Sequence, residues 1–228
     1  MTQIDYLVIS AHPDDAEFGV AGTVALKCRN GQAAVYVVCT DGEKGTGDRS
    51  MDPGQLAVIR RKEQQAAAGI LGVENVVFLG YPDQGLEDTA AFRKDIVRQI
   101  RRYRPHTVIT SDPYKKYIWH RDHRIVGQVA LDAVYPYARD HLAYPDLLDE
   151  ELEPHKVKEI WFWGSEDVNH RVDITGSFDL KLKALQCHHS QIRELEVGDP
   201  EKMLRTWCRK MAQGESFDLA EAFHRVVI

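Results

Sequence analysis

The chain has 228 residues, 43% hydrophobic and 28% charged, with 29 Lys and Arg against 35 Asp and Glu for a formal charge of -6. A chain of this length buries roughly 70% of its unfolded surface and needs no disulfide or structural metal to fold, so a metal bound here would serve chemistry. The acidic balance argues against a whole-surface grip on nucleic acid or anionic lipid, and the longest apolar runs fall far short of the roughly 20 residues that cross a bilayer.

Tyr6 to Ser10 is a β-branched run of the buried parallel-strand type, and about Glu17 to Arg29 carries apolar residues at helical spacing. Ala34 to Thr40 reads as a second strand, and Gln55 to Leu71 as a helix stopped by Gly72. Asn75 to Leu79 is a third strand, Ala90 to Arg102 a helix, and His106 to Thr110 a fourth strand. A helix follows from near Asp122 to about Arg139, and Glu159 to Trp163 is a further strand. Residues 141 to 156 read as a long surface loop, and Ser177 to Gln191 and Pro200 to Met211 as helices. Strands alternating with helices imply right-handed βαβ units and a mostly parallel sheet covered on both faces. The expectation is one Rossmann-like three-layer α/β domain over 1–228, with a core of about 1–165 completed by 166–228.

The four cysteines, Cys28, Cys39, Cys187 and Cys208, lack Cys-x-x-Cys spacing, and the first residues lack a secretory signal. Both point to a reduced, cytoplasmic setting. In an open parallel sheet, ligands bind outside the carboxyl ends of the strands. After the first strand the chain reads Ala11-His12-Pro13-Asp14-Asp15-Ala16-Glu17-Phe18-Gly19, an imidazole and two carboxylates within four residues. His12 and Asp15, three apart across a strand-to-helix turn, suit two ligands of a catalytic zinc, which typically takes three protein ligands and a water. The third should come from another strand end, and His120-Arg121-Asp122-His123-Arg124 follows the fourth strand. For each cluster alone the plainer reading is helix capping; the two at the ends of different strands of one sheet favour a shared ion. His141 and His188-His189 have no such partners and read as surface or packing residues.

These motifs resemble the PIG-L or LmbE-like family of metal-dependent N-deacetylases. Further matches are TDGEKGT from Thr40, RRKE from Arg60, FLGYPDQGL from Phe78, HHSQ from His188, and AEAF near the end. The resemblance implies that His12, Asp15 and His123 bind zinc, with iron(II) able to use the same ligands, and that Asp14 is the general base. It implies that His120 is the electrophile or general acid, that Asp122 orients it, and that Arg60 binds substrate. It also implies a small amino-sugar substrate and a homo-oligomer, trimeric or hexameric. Arg121 stands where many members have proline, and Ile118 where some thiol-pathway members have tyrosine.

The implied reaction is hydrolysis of an N-acetylglucosaminyl acetamide by a zinc-bound water, with Asp14 taking its proton and protonated His120 facing the oxyanion. Asp122 is expected to hold the His120 tautomer and raise its pKa. Asp83, in the Tyr81-Pro82-Asp83 turn, joins Arg60 as a candidate for sugar hydroxyls, and Tyr117, Trp119, Trp161 and Trp163 for a stacking face. Alternation sends Trp161 and Trp163 to one face of their strand, where core packing is the plainer role. The alternative activity is a Rossmann-like metal protein acting on another amide, a nucleotide or a phosphoester, but no Gly-x-Gly-x-x-Gly follows the first strand.

Overall fold

The computed structural model describes residues 3–193 and 199–228. Its frame is a seven-stranded sheet in the order β3-β2-β1-β4-β5-β7-β6. The strands are β1 (Tyr6–Ser10), β2 (Ala34–Thr40), β3 (Asn75–Tyr81), β4 (Thr107–Ser111), β5 (Glu159–Trp163), β6 (His170–Asp173) and β7 (Ala220–Val227). The first five are parallel, and β7 runs antiparallel to both β5 and β6. Every residue of β1, β2 and β4 is buried, as expected of strands covered on both faces.

The helices divide between those faces. Helices α1 (Asp15–Gly19), α2 (Ala21–Arg29), α3 (Pro53–Leu71) and α6 (Phe178–Gln186) supply Ala16, Val24, Ala67 and Ala184 to one cluster with Tyr36, Trp161 and Trp163. Helices α4 (Ala90–Tyr103) and α5 (Arg121–Asp132) supply Phe92, Ile96, Val126 and Val129 to the other. The chain therefore changes faces between β1 and β4, the switch point where a crevice opens in such sheets. Helices α7 (His189–Ile192) and α8 (Pro200–Met211) complete the C-terminal part. Among the described residues no helix is long and apolar enough to cross a membrane.

Two expectations are corrected, for the helix begun at Arg121 and for the tail. The helix begun at Arg121 ends at Asp132, because Tyr135 is extended ahead of Pro136 and Pro136 has no amide to continue the ladder. The 141–156 segment is the long surface loop expected, irregular apart from a turn at Pro145–Leu147 and mostly exposed, with Leu147 and Leu152 buried and its start held by the Arg101 guanidinium, which donates to the carbonyls of Tyr137, Ala138, Asp140 and Ala143. The tail adds β6 and β7, which extend the sheet.

Close packing brings α5 to β4. A Cβ on Gly127 would lie 2.3 Å from the Ser111 carbonyl oxygen, and Ser111 Oγ donates to the His123 carbonyl at 2.8 Å. Those contacts fix the start of α5 over the end of β4.

Candidate metal centre

The Ala11–Asp15 segment leaves β1, and His120–His123 opens α5 after β4, so the switch point brings both motifs to one crevice. His12 Nδ1 lies 3.2 Å from His123 Nε2 and 3.4 Å from Asp15 Oδ2, and His123 Nε2 lies 3.0 Å from Asp15 Oδ1. Ligand atoms about 2.1 Å from a tetrahedral zinc stand about 3.4 Å apart, so this donor triangle has a metal's spacing. The backbone amide of His12 donates to Asp15 Oδ2 at 2.8 Å and fixes that carboxylate. Despite burial, His123 and His12 hold the Asp15 carboxyl well below its usual range.

Two other groups overlap the triangle. His12, His120 and His123 bring nitrogens within 4.8 Å of one another, and so do donor atoms of His12, Asp83 and Asp122. In the second, His12 Nε2 faces Asp83 Oδ1 at 3.0 Å and Asp122 Oδ2 at 3.4 Å. Its carboxylates are partly engaged: the Gln84 amide donates to Asp122 Oδ2 at 2.7 Å and the Lys44 amide to Asp83 Oδ2 at 3.3 Å. Asp122 is sealed from solvent. A metal-ligating histidine normally offers its other nitrogen to a carboxylate, and Asp83 and Asp122 stand in that relation to Nε2 of a His12 that binds through Nδ1. The residues thus fit a divalent cation on the Asp15–His123 side, backed by two outer carboxylates.

Asp14 is the most constrained residue of the site. Its φ of 95° is left-handed, which costs a non-glycine residue about 1 to 3 kcal/mol and persists only where the surroundings fix it. It occupies the N-cap of α1 without making a side-chain cap bond, so its carboxylate is not spent on the helix. Arg60 Nη2 lies 3.3 Å from Asp14 Oδ1. Burial pushes the Asp14 carboxyl up to about 6, against the pull of Arg60 and with Asp15 adding to the rise.

His120 is exposed at the mouth, and its Nδ1 accepts the Asp122 backbone amide at 3.2 Å. Nδ1 being an acceptor, neutral His120 carries its hydrogen on Nε2. Burial, with His12 and His123 nearby, lowers its pKa below the ordinary histidine value. The Asp122 carboxylate lies against His12 Nε2, and although it raises the His120 pKa as expected, burial and the two other imidazoles outweigh it. The tautomer is set by a main-chain amide.

Arg60 and Asp83, the candidates for sugar hydroxyls, are only 3% and 4% exposed. The Arg60 guanidinium is spent on the Gly42 and Pro13 carbonyls, at 2.8 and 2.5 Å, and on Asp14. Both residues are buried against the site, Arg60 at Asp14 and Asp83 at His12. Trp161 and Trp163 are core residues at 5% exposure; Trp119 lies edge-on to His123, and Tyr117 is exposed. His141 and His189 are exposed, but His188 is fully buried against Glu17. Sequence reading missed Glu17, Gln64 and His188. The available signal was Glu17 itself, a charged residue on the inward register of an apolar helix.

The model of the PIG-L family, described as GlcNAc-PI de-N-acetylase, matches residues 7–134. A diacetylchitobiose deacetylase of Thermococcus kodakarensis is 36% identical over 188 residues, covering 82% of this chain and 70% of that protein. A 1D-myo-inositol 2-acetamido-2-deoxy-alpha-D-glucopyranoside deacetylase of Mycobacteroides abscessus is 28% identical, covering 87% and 85%. The solved N,N'-diacetylchitobiose deacetylase of Pyrococcus horikoshii, bound to an inhibitor, superimposes with a TM-score of 0.91 at 33% identity, covering 98% and 84%.

Proposed function

Because the chain belongs to the PIG-L family of de-N-acetylases and is therefore an amide hydrolase, we propose that it removes the acetyl group of a small N-acetylglucosamine-type amino sugar, releasing acetate and the free amine. The observation that carries this reading is a carboxylate, Asp14, beside the metal donor triangle but outside it, with a pKa pushed up to about 6. A general base works best when its pKa lies near the operating pH.

We assign zinc to His12 Nδ1, Asp15 and His123 Nε2; iron(II) suits the same donors. Bound there, the metal supplies Lewis-acid polarisation of the acetamide carbonyl and acidifies water for attack at neutral pH. Asp14 accepts the proton of the attacking water. Its carboxylate is held between Arg60, which keeps it oriented, and the buried surroundings, which keep it basic. The Nε2–H of neutral His120 donates to the oxygen on which negative charge develops, a role that needs no prior protonation. Asp14, protonated in the first step, then returns its proton to the leaving amine, so one residue serves as base and acid. Asp83 and Asp122 hold the His12 ring and act on the reaction only through it.

From the family we also read a homo-oligomer, trimeric or hexameric, which light scattering on the purified protein tests, and from the dispersed cysteines a cytoplasmic setting. The activity test is acetate release by zinc-loaded protein from N,N'-diacetylchitobiose, N-acetylglucosamine and its inositol and malate conjugates. Release from at least one supports the reading; hydrolysis of phosphoesters with no acetate from any of them contradicts it.

A further inference from the structure

Three fully buried polar side chains take no part in the reaction as derived: Glu17, Gln64 and His188, each 0% exposed. They form one unbroken chain. His188 Nε2 meets Glu17 Oε2 at 3.2 Å, Gln64 Nε2 donates to Glu17 Oε1 at 3.0 Å, and Gln64 Oε1 accepts the backbone amide of Asp14 at 2.9 Å. The Glu17 carboxylate only accepts, so the Gln64 amide must turn its NH2 towards Glu17 and its oxygen towards Asp14.

One turn earlier on α3, Arg60 donates to the Pro13 carbonyl at 2.5 Å. The Pro13 carbonyl and the Asp14 amide are the two poles of a single peptide unit. Residues Arg60 and Gln64, four apart on one helix face, therefore grip that peptide at both ends. The left-handed turn at Asp14 begins immediately after it. Gln64 sits on the buried face of α3 with Ala67 and Ala68, and an apolar side chain there would strand both the Asp14 amide and Glu17 Oε1. The end of the polar chain is not another side chain but the main chain of the residue that carries the base.

We infer that Gln64 is a positioning residue for the Asp14 carboxylate, its amide orientation set by Glu17 and His188. This rests on the reading of Asp14 as the base. Without the Gln64 acceptor the Pro13–Asp14 peptide is free to rotate towards an ordinary turn, which carries the carboxylate off its line to the attacking water.

The test compares Gln64→Met and Gln64→Glu, each in the natural chain and with Asp14→Asn, by kcat, KM and bound zinc on N,N'-diacetylchitobiose. Gln64→Met should lower kcat by about 10- to 100-fold, the usual cost of misplacing a reacting group by about 1 Å, with KM and zinc stoichiometry unchanged. Gln64→Glu, made throughout together with Glu17→Gln so that an amide still faces the new carboxylate, keeps an oxygen for the Asp14 amide and should retain most of kcat. In the Asp14→Asn background, Gln64→Met should add no further loss, because residues acting as a unit are not additive. Hydrogen exchange of the Asp14 amide should accelerate in Gln64→Met and not in Gln64→Glu. Should Gln64→Met fail to fold, Gln64→Asn, one methylene too short to reach, makes the same comparison. An equal fractional loss in both backgrounds, or a loss in Gln64→Glu as deep as in Gln64→Met, overturns the inference alone. Full activity of Asp14→Asn by itself overturns the base assignment and the inference with it.

Discussion

Replacing Asp122 by asparagine separates two roles that its place in the His120-Arg121-Asp122-His123 run leaves entangled. Its carboxylate lies 3.4 Å from His12 Nε2, accepts the Gln84 amide at 2.7 Å, and is sealed from solvent. Asparagine keeps the shape and the Gln84 bond but removes the charge that faces His12. Loss of an outer carboxylate behind a ligating histidine typically weakens metal binding by about 10- to 100-fold, or about 1.4 to 2.7 kcal/mol. Asp83 still faces the same nitrogen at 3.0 Å, which places the expected loss near the lower end. The assay is zinc titration against a competing chromogenic chelator, followed by kcat at saturating zinc. Weaker zinc binding with kcat largely restored at saturation is the expected result. Unchanged affinity with a low kcat at saturation would refute the reasoning and return Asp122 to the service of His120.

Two stability predictions concern pairs away from the site. Lys181 and Glu221 are 1% and 4% exposed; Lys181 Nζ donates to Glu221 and to the Phe18 carbonyl, and Glu221 accepts the Gly22 and Thr23 amides at the start of α2. Lys181→Met strands a buried carboxylate and should cost about 3 to 5 kcal/mol in urea unfolding; a loss under about 1 kcal/mol, the worth of an exposed pair, contradicts the burial argument. At the opposite end of the sheet, hydrogen bonds from Arg225 hold the Glu159 carboxyl below its ordinary value against partial burial. A depressed carboxyl stabilises the fold above its unfolded pKa, about 4.3, and that stability is lost as pH falls through the lower folded value. Glu159→Gln should therefore lower stability at pH 7 and flatten its decline below about pH 4.3; an unchanged acid limb would show that Arg225 contributes nothing.

The sequence made the parallel half of the sheet legible because β1, β2 and β4 are buried on both faces and read as apolar runs. The antiparallel edge was not legible. His170–Asp173 is four residues long, only partly buried and carries Arg171, so it has neither the length nor the alternation of a strand signal. Pro136 marked the end of α5, but its effect was hidden by the apolar spacing that continues through Val134 and Ala138. The anchoring of the chain ahead of the 141–156 loop was not legible, because Arg101 lies on α4 and binds only main-chain carbonyls, from Tyr137 to Ala143.

At the site, His12, Asp14, Asp15, His120 and His123 could be singled out because each cluster is compact in sequence and follows a strand. The orientation of Asp122 could not, since the Gln84 amide that holds it comes from the turn after β3. Nor could the burial of Arg60 and Asp83, which depends on the 42–45 loop closing over them. Gln64 gave no signal, because a glutamine on a helix is unremarkable until its neighbours are known.

Asp14→Asn, assayed for bound zinc and for acetate release together, tests the separation of base from metal donors most directly. Zinc at one equivalent with kcat reduced by about 100- to 10,000-fold is the predicted result, the range expected for losing a general base. Loss of zinc along with activity, or full activity with zinc retained, would contradict the separation of base from metal donors.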